Sequence, residues 1–464
     1  MKPPGSCQHA ARRNRSIRVA VGTSFLSKAG TAMLQLLALP VAIRVLGRAE
    51  FGLYTTVTLT LTVVSLLQAG IGPALAHGVS RANVTADDER RRELASTAFI
   101  MMAAIALAAG AALAVVLLVV PLPVIFGAGY EGMEGMMRPA LWLGLGIFLL
   151  LFVLNLTERL REGQLEVAKT NLWGAAGNLL AAVLVAGGVF LVPEVWFLVL
   201  AVHGSVVLAK LANTADLWLR HPVLVPKLRG FRWPVARHLI GDGMAFATAS
   251  LLTGVVEYNL CGWMVGRVGG PGQVALFGVF VSLSVMQLGF VMMITTPTWP
   301  AVAEALARGD RAWASRASRR LQIYGLAIAV CAAAGLVLLG PWGFGVWLGD
   351  EFAGTGRGLI GCFAVYFAAH VWRHVNHMLM IGTGQVVRLA RIQIIETAVL
   401  AVAAWFALHA GGIGAMLLAM GATIACFTGL FLPRRVAEVL AEAKIRQGRF
   451  SEASGGVDGF RGMG

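Results

Sequence analysis

Two stretches decide how this chain is read: Pro73-Ala-Leu-Ala-His-Gly-Val-Ser-Arg81 and Pro300-Ala-Val-Ala-Glu-Ala-Leu-Ala-Arg308. They align without gaps, and the likeness runs on to Arg92-Glu-Leu94 and Arg319-Arg-Leu321. A second pair, Phe126-Gly-Ala-Gly-Tyr130 and Leu348-Gly-Asp-Glu-Phe352, recurs at nearly the same offset. The chain is therefore expected to use one structural unit twice. Around these pairs lie apolar runs near 19–45, 52–77, 94–120, 138–158, 170–192, 194–219, 239–266, 274–299, 321–347, 358–382, 387–409 and 411–432. Each is long enough, at about 20 residues, to cross a bilayer as a helix. Six helices per repeat is an even number, so both halves insert the same way up. The expected fold is an all-α membrane protein of about 12 transmembrane helices. It is two parallel six-helix bundles related by a pseudo-twofold along the membrane normal, with a site at their interface near the midplane.

Composition leaves little else. Of 464 residues 58% are apolar and 13% are charged, against about 25% in soluble domains, and the mean hydropathy is +0.75. Short loops leave no room for a soluble catalytic domain, so the chain is not expected to be an enzyme or to hold a cofactor. The longest connection on the far side, Pro121–Met137, is short. A net charge of +15 would suggest nucleic acid if the basic residues formed a soluble face, but they sit between apolar runs. About 30 of the 38 Lys and Arg fall in the tails and even-numbered connections, which places both termini in the cytoplasm.

The expected organisation is a basic N-terminus (1–18), an N-terminal lobe (19–219), a basic linker (220–238), a C-terminal lobe (239–432) and a tail (433–464). Pro433–Arg449 reads as an amphipathic helix lying on the inner leaflet, with Val436, Val439 and Leu440 opposite Arg435, Glu438 and Glu442. The Gly/Ser-rich remainder is expected to be disordered. The basic start (Arg12, Arg13, Arg15, Arg18) precedes an apolar stretch too long for a signal-peptide core, and reads as a retained first helix. Cys7, Cys261, Cys331, Cys362 and Cys426 lack CxxC spacing and read as packing residues.

Three cations lie deep within spans: Lys28, Lys210 and Arg373. Each costs at least about 2.5 kcal/mol at mid-bilayer unless paired or solvated. Ser24, Ser27, Lys28, Thr31 and Gln35 share one face of helix one, which is either helix–helix glue or a cavity lining. The three cations are candidates for holding an anionic phosphate headgroup. Arg373 and Glu396 stand at matching depth on neighbouring helices, so a structural ion pair is the competing reading. His370, His374 and His377 fall on one face of helix ten with Tyr366. The His370/His374 spacing suits a metal, but nothing completes a site, which leaves a proton relay or a polar lining. On helix seven Ser250, Thr253 and Glu257 share a face, and Glu257 either binds a coupling cation or neutralises a basic neighbour. Breaks at Pro40, Gly70-Ile-Gly-Pro73, Pro297 and Pro300 are either hinges or ordinary kinks. No phosphate-binding P-loop occurs, so energy would come from an ion gradient or the membrane potential.

Leu46-Gly-Arg-Ala-Glu-Phe-Gly-Leu-Tyr54, Gly70-Ile-Gly-Pro73-Ala-Leu75, Phe126-Gly-Ala-Gly-Tyr130 and Pro300-Ala-Val-Ala-Glu-Ala through Gly309-Asp310 resemble the polysaccharide biosynthesis transporters. These are O-antigen type, lipid-linked oligosaccharide flippases of the multidrug/oligosaccharidyl-lipid/polysaccharide exporter superfamily. The resemblance implies movement of a polyprenyl-diphosphate-linked glycan across a bacterial inner membrane by alternating access, for cell-surface polysaccharide synthesis. It implies a V-shaped pair of lobes around a central basic cavity, which Lys28 fits by position, and partners among membrane lipids, a glycan polymerase and glycosyltransferases. Two alternatives stand beside it: an ion-coupled multidrug antiporter of the same superfamily, and a non-transporting scaffold of an envelope-glycan synthesis complex.

Overall fold

In hydrocarbon, backbone N–H and C=O groups must be satisfied within the chain, and helices do this locally. The computed structural model describes residues 22–23, 26–64, 71–250, 254–307, 310–349, 352 and 354–440. Among these residues there are helices and short connections and no strand. Among the described residues eight helical stretches are long and apolar enough to cross a membrane, and the chain is a multi-pass membrane protein. Two of them, Val255–Thr295 and Val387–Leu440, contain breaks at Gly270 and at Gly411–Gly412. The chain reverses at both: a Cβ on Gly262 would lie 3.5 Å from the Phe277 ring, and Glu396 accepts from the Thr428 N–H. A straight helix would hold these pairs about 22 and 48 Å apart.

With those breaks counted, twelve helices run in order among the described residues. They are α1 (Leu26–Leu46), α2 (Arg48–Val64 and Ile71–Val84), α3 (Asp88–Val119), α4 (Glu134–Gly163), α5 (Val167–Gly188) and α6 (Val195–Arg220). There follow α7 (Trp233–Ser250 and 255–269), α8 (271–307), α9 (Arg311–Leu348), α10 (Arg357–Gly382), α11 (386–410) and α12 (413–440). The expected all-α fold of about twelve spans is the one observed. The chain divides into two compact units, Met1–Ser282 with Trp342–Gly354, and Leu283–Pro341 with Thr355–Gly464.

Helix starts follow the local chemistry. The Asp87 carboxylate accepts from the Arg90 N–H at 2.8 Å and caps α3, and Asp310 does the same for Trp313 at 3.1 Å on α9. These two caps mark the repeat register, which differs by about one helical turn from the gapless Pro73/Pro300 alignment. A one-turn slip keeps apolar residues on the same face, which is why that alignment still matched. The side chains of Pro73, Pro297 and Pro300 lie outside the described residues.

In the first unit a core of Leu75, Val79, Leu94, Met102, Phe152 and Leu160 joins α2, α3 and α4. Its other end holds the Phe126–Tyr130 motif. Gly127 has φ +107, and a Cβ there would lie 2.7 Å from the Arg267 carbonyl oxygen; Gly129 meets Gly270 at 2.9 Å. Tyr130 is buried, shares a 2.8 Å hydrogen bond with Thr56, and has its hydroxyl pKa pushed up to about 12 by burial, against the lowering effect of that bond. The Arg267 guanidinium donates to the Val124 carbonyl at 2.7 Å. The counterpart segment repeats the arrangement: Gly349 has φ +87 and lies against Arg44, whose guanidinium donates to the carbonyl of Val346. Phe352 is buried under Arg48, 5.1 Å from its guanidinium carbon. Arg44 and Arg267, and likewise Gly47 (φ +84) and Gly270 (φ +72), are repeat mates by position. Each arginine thus clasps the motif belonging to the other repeat, and this is why 342–354 folds into the first unit.

In the second unit Val291, Leu321, Val371, Val375, Leu379, Leu389, Leu432 and Val436 form the core, with Leu440 against it. The amphipathic stretch after Pro433 therefore continues α12 as far as residue 440, and Val436, 2% exposed, packs into protein rather than onto a leaflet. A face of three apolar residues finds denser packing at the ends of α10 and α11 than among headgroups. Residues 441–464, including the expected disordered tail, lie outside the described residues, as do 1–21.

Among the described glycines the closest approach is that of α2 to the start of α8, where a Cβ on Gly52 would sit 1.9 Å from the Pro271 carbonyl oxygen. Gly52→Ala is expected to lose about 1–3 kcal/mol by forcing backbones apart. Gly78→Ala, which meets only the flexible end of Leu94 at 3.1 Å, is expected to lose less. Thermal unfolding of both variants in detergent checks this; equal melting temperatures would refute it.

Candidate functional site

Four helical segments widen into π-turns: Leu34–Ala38 in α1, Leu200–Gly204 in α6, Val255–Leu260 in α7 and Ala425–Gly429 in α12. They fall at matching places in the two repeats, α1 with α7 and α6 with α12. A π-turn frees backbone groups and is often found at functional sites. Gln35 lies in the α1 turn and Glu257 in the α7 turn, one residue off the register that Arg44 and Arg267 set. Gln35 Oε1 is buried with no hydrogen-bond partner among the described residues, and Glu257 is 1% exposed. Glu257 lies in the segment of α7 that packs on α2. Ser250 and Thr253, its expected neighbours on that face, have side chains outside the described residues.

The polar stripe of α1 faces α5. The Thr31 hydroxyl donates to the Ser27 carbonyl at 3.1 Å and accepts from Asn178 Nδ2 at 2.9 Å, while Asn171 Nδ2 donates to Thr23 at 3.3 Å. Ser27 lies beside Gly174. Ser24 is outside the described residues. Lys28 turns away from this seam: it is exposed and enters no ion pair among the described residues.

Asn178 and Gly174 also line a cavity of about 200 Å³ with Thr170, Trp173, Asn213 and Lys210. Lys210 is not a free cation there, because its ammonium is paired with Glu158 of α4. Below the cavity Arg161 is fully buried, a residue that the sequence reading missed. It donates to Asn213 Oδ1 at 2.6 Å and to the Asn213 carbonyl at 3.0 Å, and bridges Glu166 at 2.6 Å and Asp216 at 2.5 Å. A charge-rich run at a helix end looks solvated in sequence, and only the packing of α4 against α6 buries this one. His203 in the α6 π-turn bonds Thr58 at 3.3 Å and packs against Phe148 at 4.9 Å.

The second unit holds the other cluster. Arg373 (3% exposed) donates to Glu396 (1% exposed) at 3.1 Å, so the pair expected from matching depth is formed. Its second arm donates to His370 Nδ1 at 2.8 Å, which leaves the His370 proton on Nε2. The other Glu396 oxygen takes the Thr428 N–H freed by the α12 π-turn at 3.1 Å. His374 Nε2 bonds Thr295 of α8 at 3.1 Å, and His377 Nδ1 bonds Gln393 of α11 at 3.0 Å. The three histidines thus serve different neighbours. No group of three metal-binding side chains occurs among the described residues.

No protein-family model matches the chain, and no curated protein sequence does. Solved structures do. An inward-facing multidrug resistance MATE family transporter of the MOP superfamily superposes with a TM-score of 0.71 at 15% identity, over 91% of this chain and 98% of that one. A eukaryotic MATE transporter gives 0.63 at 13% identity, over 94% and 99%. A MOP superfamily transporter from Pyrococcus furiosus, described as having a binding pocket of reverse polarity that suggests a different function, gives 0.61 at 16% identity, over 90% and 96%. The likeness is one of fold.

Two predictions follow from these clusters. Arg373→Met and Glu396→Gln alone are each expected to cost about 3–5 kcal/mol by stranding a buried partner, and the double variant to recover most of it. A double-mutant cycle with no coupling would reject the pair. At the α4–α5 connection, burial disfavours the charge on Glu166, but bonds and charges from Lys169, His221 and Arg161 outweigh it and hold the carboxyl below its ordinary 4.5. That contribution is present above the ordinary value and is lost as pH falls through the lowered one. Glu166→Gln should therefore lower the melting temperature at neutral pH and converge on the parent in acid; a gap independent of pH would contradict this.

Proposed function

We propose that the chain is a membrane transporter that works by alternating access and exports an amphipathic organic solute in exchange for a cation, as a multidrug antiporter does. The observation that carries this reading is the likeness in backbone fold to multidrug resistance MATE transporters over nine-tenths of the chain. The chemistry of the first unit accords with it. The cavity beside Lys210 is neutralised from within by Glu158, and its Trp173, Asn178 and Thr170 offer an aromatic face and hydrogen bonds rather than a phosphate grip. Glu257 is a buried acid in a π-turn, where a proton or a sodium ion can exchange with solute.

A second reading rests on a specific observation, the exposed ammonium of Lys28 on α1, which enters no ion pair among the described residues. There the solute is a polyprenyl-diphosphate-linked oligosaccharide, Lys28 holds its diphosphate, and a glycan polymerase or glycosyltransferases are partners in a bacterial inner membrane with both termini cytoplasmic. Arg373 and Lys210 contribute less to that reading, since Glu396 and Glu158 already engage them.

One preparation separates the two. Purified protein in liposomes is assayed for uptake of a fluorescent cationic drug under proton or sodium gradients, and for leaflet translocation of a polyprenyl-diphosphate oligosaccharide. Gradient-driven drug exchange is expected, lost at least tenfold in Glu257→Gln and little changed in Lys28→Ala. Oligosaccharide translocation abolished by Lys28→Ala, with no drug exchange, would replace the first reading with the second. Neither activity in a folded protein would leave the scaffold role.

A further inference from the structure

At the end of the α11–α12 hairpin where α11 begins and α12 ends, a groove of about 530 Å³ opens in the second unit. Its walls are of two kinds. One end carries Arg388, Arg434 and Arg435, with Glu438; the other carries Ile392, Ile395, Phe427 and Phe431. Arg435 pairs with Glu438 at 2.6 Å. Arg388 and Arg434 are exposed and enter no ion pair among the described residues. The apolar end is open as well, with Ile395 56% and Phe431 59% exposed.

The spacing joins these two ends into one site. Along α11, Arg388 and Ile395 are about 10 Å apart, and along the antiparallel α12 so are Arg434 and Phe427. Both helices therefore present cations at one level and apolar side chains about 10 Å deeper. A free anion would leave the apolar wall open, and a hydrocarbon would leave two guanidinium groups without an acceptor. A cationic solute would meet repulsion at the mouth. We infer that the groove seats an anionic phospholipid of the adjoining leaflet, with its phosphate between Arg388 and Arg434 and the first part of an acyl chain along Ile395, Phe427 and Phe431. Guanidinium groups bind phosphate through paired N–H donors, and cations near an anionic leaflet add electrostatic attraction. The inference stands whichever solute the protein carries.

The test is native mass spectrometry of the full chain released from nanodiscs of phosphatidylcholine and phosphatidylglycerol in equal amounts. The parent is expected to retain one phosphatidylglycerol in preference to phosphatidylcholine. R388Q/R434Q is expected to lose that preference about thirtyfold, the equivalent of about 1 kcal/mol for each cation, and R388K/R434K to keep most of it. If the double glutamine variant does not fold, R434Q alone is expected to lose about fivefold. Unchanged preference in the glutamine variants would overturn the inference. So would displacement of the lipid by inorganic phosphate, which would mark a free-anion site, or a parent that runs as a dimer and carries no lipid, which would mean that a second copy covers the groove.

Discussion

A bilayer offers no hydrogen-bond partner to a backbone group, and this constraint explains why the breaks in these helices carry the informative side chains. At the π-turns of α1 and α12 and at the loop ends, a side chain arrives from elsewhere in the same unit. The Leu36 carbonyl, inside the α1 π-turn, accepts from Trp347 Nε1 at 2.8 Å. In the α12 π-turn the Gly429 carbonyl accepts from Trp372 Nε1 at 3.0 Å, while the Thr428 N–H is taken by Glu396. At the loop ends Trp263 reaches the Ile125 carbonyl at 2.9 Å, next to the Val124 carbonyl held by Arg267. Each of these donors is bulky or charged, so the same contacts that satisfy the backbone also fix which elements lie together.

The repeat gives those contacts their pattern. The motif after α3 is held by the end of α7, and the motif after α9 by the end of α1, with an arginine and a left-handed glycine on each side. Exchange of contacts between repeats means that neither half completes its own loop end. It also shows why glycine stands at both motif positions: a side chain on Gly127 would strike the Arg267 backbone and would strain a φ of +107. π-turns in both α1 and α7 carry a buried polar side chain, Gln35 in one and Glu257 in the other, so the repeats share a turn at this level while differing in the charge it holds.

Much of the fold was legible in sequence because a membrane span announces itself by length and apolarity alone. The Arg373–Glu396 pair was legible for a similar reason, since depth along two adjacent helices can be counted from a shared loop. Three things could not be counted. The partner of Lys210, Glu158, lies at the end of α4, where a carboxylate reads as a solvated boundary residue. Arg161 looks the same in sequence as the half-buried Arg159, and only the packing of α4 on α6 distinguishes them. The π-turns leave no composition signal, because one extra residue in a turn changes hydrogen bonding rather than hydropathy.

Burial sorts the cations into those that can meet a ligand and those that cannot. Arg161 spends its donors on two carboxylates and an asparagine, and Arg373 on Glu396 and His370. For either to grip a phosphate, a buried carboxylate would have to give up its partner, at a cost of several kcal/mol. Lys28, Arg388 and Arg434 face no such cost, since each is exposed and uncommitted among the described residues. A buried cation in a membrane helix is thus a weaker sign of an anionic substrate than an exposed one. Under the proposed transport role, the polarity of the solute turns on the environment of Lys28 more than on the number of basic residues in the spans.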